Sequence, residues 1–323
     1  MNIKKSIDLT DIKEAAAFYD SRYESGYMSD WDASKKERVQ EIIRCMNLPT
    51  IGRLLDYGCG NGVFTEVLAH ALPNWEIFGT DISTVALNNA RKRYPAFHFA
   101  TLDKLEKASF DLIFTHHVLE HVPDIKKSAE EISMMASKNC QMLHILPCGN
   151  SGSLEHRICL LRNDGINPTI GNRFFFEDES HLRRLTSFEL IDLFAPFGFT
   201  YDKGFFANQY YGALDWISNY SEEFIHMLTD SSKAKSLQAA RELQSIRNIL
   251  LEIRQMKQKA LDYRNNGIPY VHGLRSIGIL LARVVNAYLA NNAYERFLKK
   301  VRKEWEELSS TENGSEMYII LKR

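Results

Sequence analysis

Residues 54–64 read LLDYGCGNGVF: an apolar lead-in, one carboxylate at Asp56, then glycine at every second position, Gly58, Gly60 and Gly62. An apolar run that stops at a bared turn and restarts as a helix is the strand, loop and helix start of an α/β sheet. Glycine at the turn lets a ligand approach the backbone, because no Cβ intervenes. Outward from this stretch the rhythm continues, with RLLDYG, WEIFGTD, FHFAT, FDLIFTH and QMLHILP as strand-length runs and TEVLAHAL, TVALNNARKRY and IKKSAEEISMMA as helical ones. This alternation predicts an α/β fold, a doubly wound and mostly parallel sheet covered on both faces.

Residues 11–46 carry helical spacing broken by an aromatic-rich link, which predicts one or two helices ahead of the sheet. Residues 148–185 break the rhythm with CGNSGSLEHR, RNDGINPTIGN and FFFEDES, the composition of a loop or cap at the ligand-binding edge. TSFELIDLFAPFGF predicts a helix capped by Thr186 or Ser187 and stopped at Gly198, with a strand near 199–206. From 216 to 308 the pattern is helical, interrupted at Gly267 and Pro269, and the chain then closes on another strand run, SEMYIILKR. A lone strand has no stability of its own, so this one must rejoin the sheet. The expected organisation is an N-terminal helical lid at 1–48, a sheet domain made of 49–215 and 309–323, and a helical insertion at 216–308 that shapes acceptor specificity.

The chain has 323 residues, 45% hydrophobic and 25% charged, enough to bury a sizeable core without metals or disulfides. Its 40 basic and 41 acidic residues leave a net charge of −1, which gives no global drive toward nucleic acid or anionic membrane. The five cysteines form no CxxC pair, no secretory signal opens the chain, and no window of about 18 apolar residues occurs. A cytoplasmic protein with reduced thiols and no integral membrane segment is expected.

The spacing D-x-G-x-G-x-G differs from the GxGxxG of dinucleotide folds, and GTDIS places Asp81 at the end of the second strand run, suited to accept from two ribose hydroxyls. The fourth strand run continues as FDLIFTHHVLEHVPD. Together these residues resemble the class I S-adenosylmethionine-dependent methyltransferases, VLEHVPD being similar to the branch that modifies small molecules and HLRRLTSFELIDLFAPFGF to a later segment of that branch. The resemblance covers about 40–147, 180–207 and 315–323 and says almost nothing about 216–308. It implies a Rossmann-like seven-stranded sheet with a reversed last strand, S-adenosyl-L-methionine as cofactor and S-adenosyl-L-homocysteine as product. It places Asp56 near the methionine amino group, Gly58, Gly60 and Gly62 along it, and Asp81 with Ile82 at the ribose. Thr101, followed by Leu102, falls where relatives carry an acid toward the adenine, with Asp103 two positions late. His116 and His117 would face the methyl group and acceptor, and Tyr19, Arg22 and Tyr23 would form the lid.

Methyl transfer from a sulfonium is an in-line displacement that needs alignment and, for a hydroxyl acceptor, a base. Histidine suits that role, and the candidates are His117, His116, His181 and His144; His121 reads as a structural tie. Six histidines lie between 116 and 181, but their spacing with nearby carboxylates does not fit a zinc site, so no metal is expected. Phe174, Phe175, Phe176, Phe205, Phe206, Tyr210 and Tyr211 suit an acceptor pocket or ordinary packing equally. The amphipathic segment 274–303, with Arg275, Arg283, Arg296, Lys299, Lys300, Arg302 and Lys303, suits packing or a homodimer interface ahead of peripheral membrane contact. The expected activity is methylation of a small or carrier-linked acceptor, chiefly at oxygen: a sugar or glycan, a secondary metabolite or a lipid-linked intermediate. The alternative is an inactive scaffold that binds a protein partner through the insertion.

Overall fold

The structure is a computed structural model that describes residues 9–28, 30–266 and 274–323, without the side chains of 263–284. Gly267 and Pro269 lie outside the described residues, as do the side chains of Arg275 and Arg283. The first half of the chain runs α1 (Ile12–Glu24), α2 (Ala33–Cys45), β1 (Arg53–Tyr57), α3 (Val63–Ala71), β2 (Glu76–Thr80), α4 (Thr84–Arg93), β3 (His98–Phe99), β4 (Phe110–His116), α5 (Ile125–Met135) and β5 (Ala136–Pro147). Then come α6 (Leu154–Leu161), a two-stranded hairpin β6 (Ile166–Asn167) and β7 (Arg173–Phe174), α7 (Ser187–Phe194), β8 (Thr200–Ala207), α8 (Tyr211–Ile217), α9 (Glu222–Leu228), α10 (Leu237–Asn266), α11 (Leu274–Leu308) and β9 (Glu316–Lys322). The helix starts follow from their caps: Asp11 accepts from the amides of Lys13 and Glu14, and Thr186 with Glu189 closes a capping box on α7.

The seven-stranded sheet has the order β3-β2-β1-β4-β5-β9-β8. β1 is parallel to β2 and β4, with Asp56 beside Gly79 and Phe114, and β4 is parallel to β5. β9 runs the other way. Arg323 N donates to Cys140 O while Cys148 N donates to Ser315 O, and on its other edge Thr200 Oγ1 donates to Lys322 O while Ser315 N donates to Ala207 O. The expected α/β doubly wound sheet with a reversed last strand is therefore present. Leu54, Leu55, Leu112, Ile113, Phe114, Met142, Leu143, Ile145 and Met317 to Leu321 are all buried, as strands covered on both faces must be. Each such side chain contributes about 1.5–3 kcal/mol. Strand order reverses between β1 and β4, which opens a crevice at their carboxyl ends where α/β sheets bind ligands.

By packing, the chain divides into two compact units, one of residues 1–147, 178–204 and 317–323 and one of 148–177 and 205–316. The segment read as a cap is thus split at 177. The second unit has its own core, in which Leu154, Ile158, Leu214, Ile217, Leu243 and Leu250 are buried and Phe175, Phe176 and Tyr211 pack against them. Phe174 and Phe206 are buried, and Phe205 lies 6.1 Å from the Trp305 ring, so these three serve packing, whereas Tyr210 is exposed. Glu304 accepts the backbone N–H groups of Tyr210, Tyr211 and Gly212 and so caps α8. Among the described residues, no helix is long and apolar enough to cross a membrane.

Candidate functional site

The loop between β1 and α3 holds Gly58, Gly60 and Gly62 at φ of +80°, +51° and +80°, the left-handed region that favours glycine. A Cβ at Gly58 would lie 2.4 Å from Val118 Cγ2, and one at Gly60 would lie 2.7 Å from Tyr23 Oη. The loop is tied to β2 by the amides of Gly58 and Cys59, which donate to Thr80 O at 2.8 and 2.9 Å. Asp81 completes the tie, accepting from Gly60 N at 2.8 Å through Oδ2 and from Ser83 N at 2.8 Å through Oδ1. From α1, Asp20 accepts from Ser83 Oγ at 2.6 Å and Val85 N at 3.1 Å, so the N-terminal helix docks on the start of α4.

This loop opens into a cavity of about 650 Å³ bounded by Asp56, Gly58, Gly60, Asp81, Ile82, Thr101, Leu102, His116, His117, His181 and Tyr19 among others. Two carboxyls at one end are poised for a cation. Burial pushes Asp56 up to about 7 against the hydrogen bond from Thr65 Oγ1 at 2.6 Å, with the Asp81 charge adding to the rise. Burial likewise pushes Asp81 up to about 6, offset by amide hydrogen bonds from Ser83 and Gly60. A positive group placed between them would relieve both.

At the other end β4 leaves the sheet, and His117 turns through φ +52° with its amide donating to Ile145 O at 2.8 Å. Its Nδ1 meets Glu120 Oε1 at 2.8 Å, and a carboxylate partner puts the ring proton on Nδ1 and the lone pair on Nε2. Glu120 is fully buried; burial works to raise its carboxyl, but the hydrogen bond from His117 and the charges of His117, His121 and His181 hold it down at about 2. The turn that carries it is clamped by Arg183, which donates to the carbonyls of Leu119, Val122 and Pro123, and by Leu182 N, which donates to Glu120 O at 2.8 Å. This is the physical content of HLRRLT: the segment locks the VLEHVPD turn. Trp31 walls the same end, stacked on His117 at 5.6 Å and edge-on to His116 at 4.6 Å.

Most of the expected site residues come together here, but three do not line the cavity. Gly62 starts α3, and a Cβ there would meet Tyr94 at 2.9 Å, so its bareness serves packing. Arg22 pairs with Asp178 at 3.2 Å and lies 3.8 Å over the Tyr27 ring, tying α1 to the 178–180 segment. His144 is buried within the sheet, bonded to Thr115 and stacked on Phe194, and burial lowers it to about 3. His121 does tie its turn down, with Nδ1 donating to Ser180 O at 2.9 Å, yet it also faces the cavity. Asp103 reaches the wall beside Thr101 and Leu102. The sequence reading singled out neither Glu120 nor Trp31, Tyr27, Asn61 and Asp20; Glu120 sits inside the quoted VLEHVPD, Asn61 inside the glycine stretch, and Tyr27 and Trp31 in the aromatic-rich link, whereas Asp20 carried no local signal.

Residues 55–142 match a family model described as a methyltransferase domain. Trans-aconitate 2-methyltransferase of Variovorax paradoxus (strain S110) is 36% identical over 110 residues, 30% of this chain and 42% of the relative. The enzyme of the same name from Acidovorax sp. (strain JS42) is 32% identical over 106 residues, 29% of this chain and 41% of that one. The chain thus spans about two fifths of the length of these curated relatives. A solved structure of a putative sarcosine dimethylglycine methyltransferase from Galdieria sulphuraria superposes with a TM-score of 0.44 at 13% identity, covering 88% of this chain and 85% of that one. The stretch from Leu55 to Met142 is thus similar to methyltransferase domains.

Proposed function

We propose that this chain transfers a methyl group from S-adenosylmethionine to an oxygen atom of a small-molecule acceptor bound at the histidine end of the cavity. The observation that carries this reading is the sharing of one cavity by the glycine loop with its two acids and by the His117–Glu120 pair. Asp81 would accept from the ribose hydroxyls, displacing its present bond to Gly60 N, and Asp56 would sit by the methionine ammonium. Thr101, Leu102 and Asp103 would border the adenine. Tyr19 and Tyr23 on α1 would cover the cofactor, while Arg22 holds that helix to Asp178.

For a hydroxyl acceptor, the O–H gives its proton to His117 Nε2 as the oxygen attacks the methyl carbon; a carboxylate acceptor is already ionised and attacks directly. The new C–O bond forms as the C–S bond breaks, and the electron pair returns to sulfur to give the neutral thioether of S-adenosylhomocysteine. Glu120 stabilises the imidazolium that results, and positioning with general-base help of this kind contributes about 10²–10⁴-fold. Trp31 and Phe64 beside His116 exclude water. The relatives' printed name makes a small carboxylic acid a first acceptor to try, and hydroxylated sugars a second.

The test is incubation with a methyl-labelled donor and panels of carboxylic acids and hydroxylated sugars. Label in a methyl ester or ether supports the reading, and for a hydroxyl acceptor it should be lost in His117→Ala. Tight cofactor binding with no transfer to oxygen in any panel member, and transfer to an amine instead, would refute it.

A further inference from the structure

The histidine end holds more than a base. Glu120 is completely buried, and while its Oε1 accepts from His117, its Oε2 has no hydrogen-bond partner among the described residues. Leaving a buried carboxylate oxygen unpaired is costly, and such an atom calls for an explanation. Beside it stands His121. Its Nδ1 donates to Ser180 O, so the carbonyl fixes the tautomer and the Nε2 lone pair is turned inward, 3.9 Å from Glu120 Oε1. His181 completes the group: its ring is 4.6 Å from that of His121, and one donor atom from each of Glu120, His121 and His181 lies within 4.8 Å of the other two.

We propose that Glu120, His121 and His181 bind one divalent transition-metal ion, of the Mn²⁺, Fe²⁺, Co²⁺ or Zn²⁺ class, at the acceptor end of the cavity. Two imidazoles and one carboxylate are the donor set that suits these ions over Mg²⁺ or Ca²⁺, and three protein ligands leave positions for the acceptor. The surroundings match what metal ligands need. Ser180 O orients His121, His117 holds the second oxygen of Glu120, and Arg183 with Leu182 N clamps the two segments that supply the donors. The donors need only close from 4.8 Å to the spacing of about 3 Å set by metal–ligand bonds of about 2.1 Å. The ion's use rests on the reading above: bound to the acceptor oxygen, it would favour loss of the proton that His117 receives.

The test uses the full-length protein after chelator treatment, titrated with Co²⁺ alone and followed by visible d–d absorption, with S-adenosylhomocysteine calorimetry on the same samples. Wild type is expected to take up one saturable equivalent, and His181→Ala and Glu120→Gln to weaken it at least about tenfold with the fold intact by circular dichroism. Should Glu120→Gln fail to fold, His181→Ala carries the test, since that residue lies on a loop outside the sheet. No saturable uptake by wild type, or equal uptake by His181→Ala, overturns the site. Co²⁺ uptake without S-adenosylhomocysteine binding would leave the ion site standing and bring down the methyl-transfer reading instead.

Discussion

The two ends of the cavity treat buried carboxylates in opposite ways. At the glycine loop, burial leaves Asp56 and Asp81 raised to about 7 and 6, with no cationic side chain among the principal influences on either. At the end of β4, Glu120 is as deeply buried, yet three histidines outweigh that burial and hold it at about 2. The contrast teaches that one end lacks a partner that would favour its carboxylates' charge, whereas the other carries hydrogen-bonding imidazoles for its carboxylate within the fold. On the proposed function it also separates roles: the first end would recognise a cationic cofactor, and the second would do the chemistry.

The largest effect expected from breaking this contrast is on the second end. His117→Ala should lower methyl transfer to a hydroxyl acceptor by about 10²–10⁴-fold while S-adenosylhomocysteine affinity stays within a few-fold, measured by initial rates and calorimetry. A parallel loss of both would mean that the two ends are not separable. Next is the first end: Asp81→Ala should weaken the nucleoside product by about 10–100-fold, the range for hydrogen bonds to a charged group. Transfer at saturating cofactor should change little.

Asp56→Asn tests the raised carboxyl directly. A carboxyl whose folded pKa is raised favours the folded state fully below its unfolded value near 4 and loses that contribution as pH rises through about 7. Asparagine cannot ionise, so the ligand-free variant should exceed wild type in stability by an amount that grows by about 2 kcal/mol between about pH 5.5 and 8. Denaturant melts at both pH values check this. A pH-independent difference would show that Asp56 is not destabilised as a charge. The smallest effect belongs to the lid tie: Arg22 and Asp178 form a half-exposed pair, so Arg22→Ala should cost less than about 1 kcal/mol in stability.

The same division explains what the sequence made legible. Asp56, Gly58, Gly60 and Asp81 lie at strand ends, where a short local pattern fixes position, so chain spacing is enough to bring them together. The reversed β9 was legible because SEMYIILKR has no other way to bury both faces. The second end is assembled from distant segments: Glu120 and His121 from the turn after β4, His181 from the loop before α7, and Trp31 from ahead of the sheet. The HxxxH spacing of His117 and His121 encloses Glu120, but no linear spacing links that turn to His181 or Trp31. Gly62 and Arg22 show the converse. Both fit the local pattern, yet one serves the packing of Tyr94 and the other a contact with Asp178. The split of 148–185 between two packing units likewise depends on long-range contacts with 205–316 that composition does not encode.

The most direct test of the claim that the glycine-loop end awaits a cation is calorimetric titration with S-adenosylhomocysteine near pH 6.5 in two buffers of different ionisation enthalpy. The ligand's ammonium should drive Asp56 to its charged form, so binding should release close to half a proton or more, and the apparent heat should differ between buffers accordingly. Asp56→Asn should remove that difference. Binding with no proton release, or with uptake, would contradict the account.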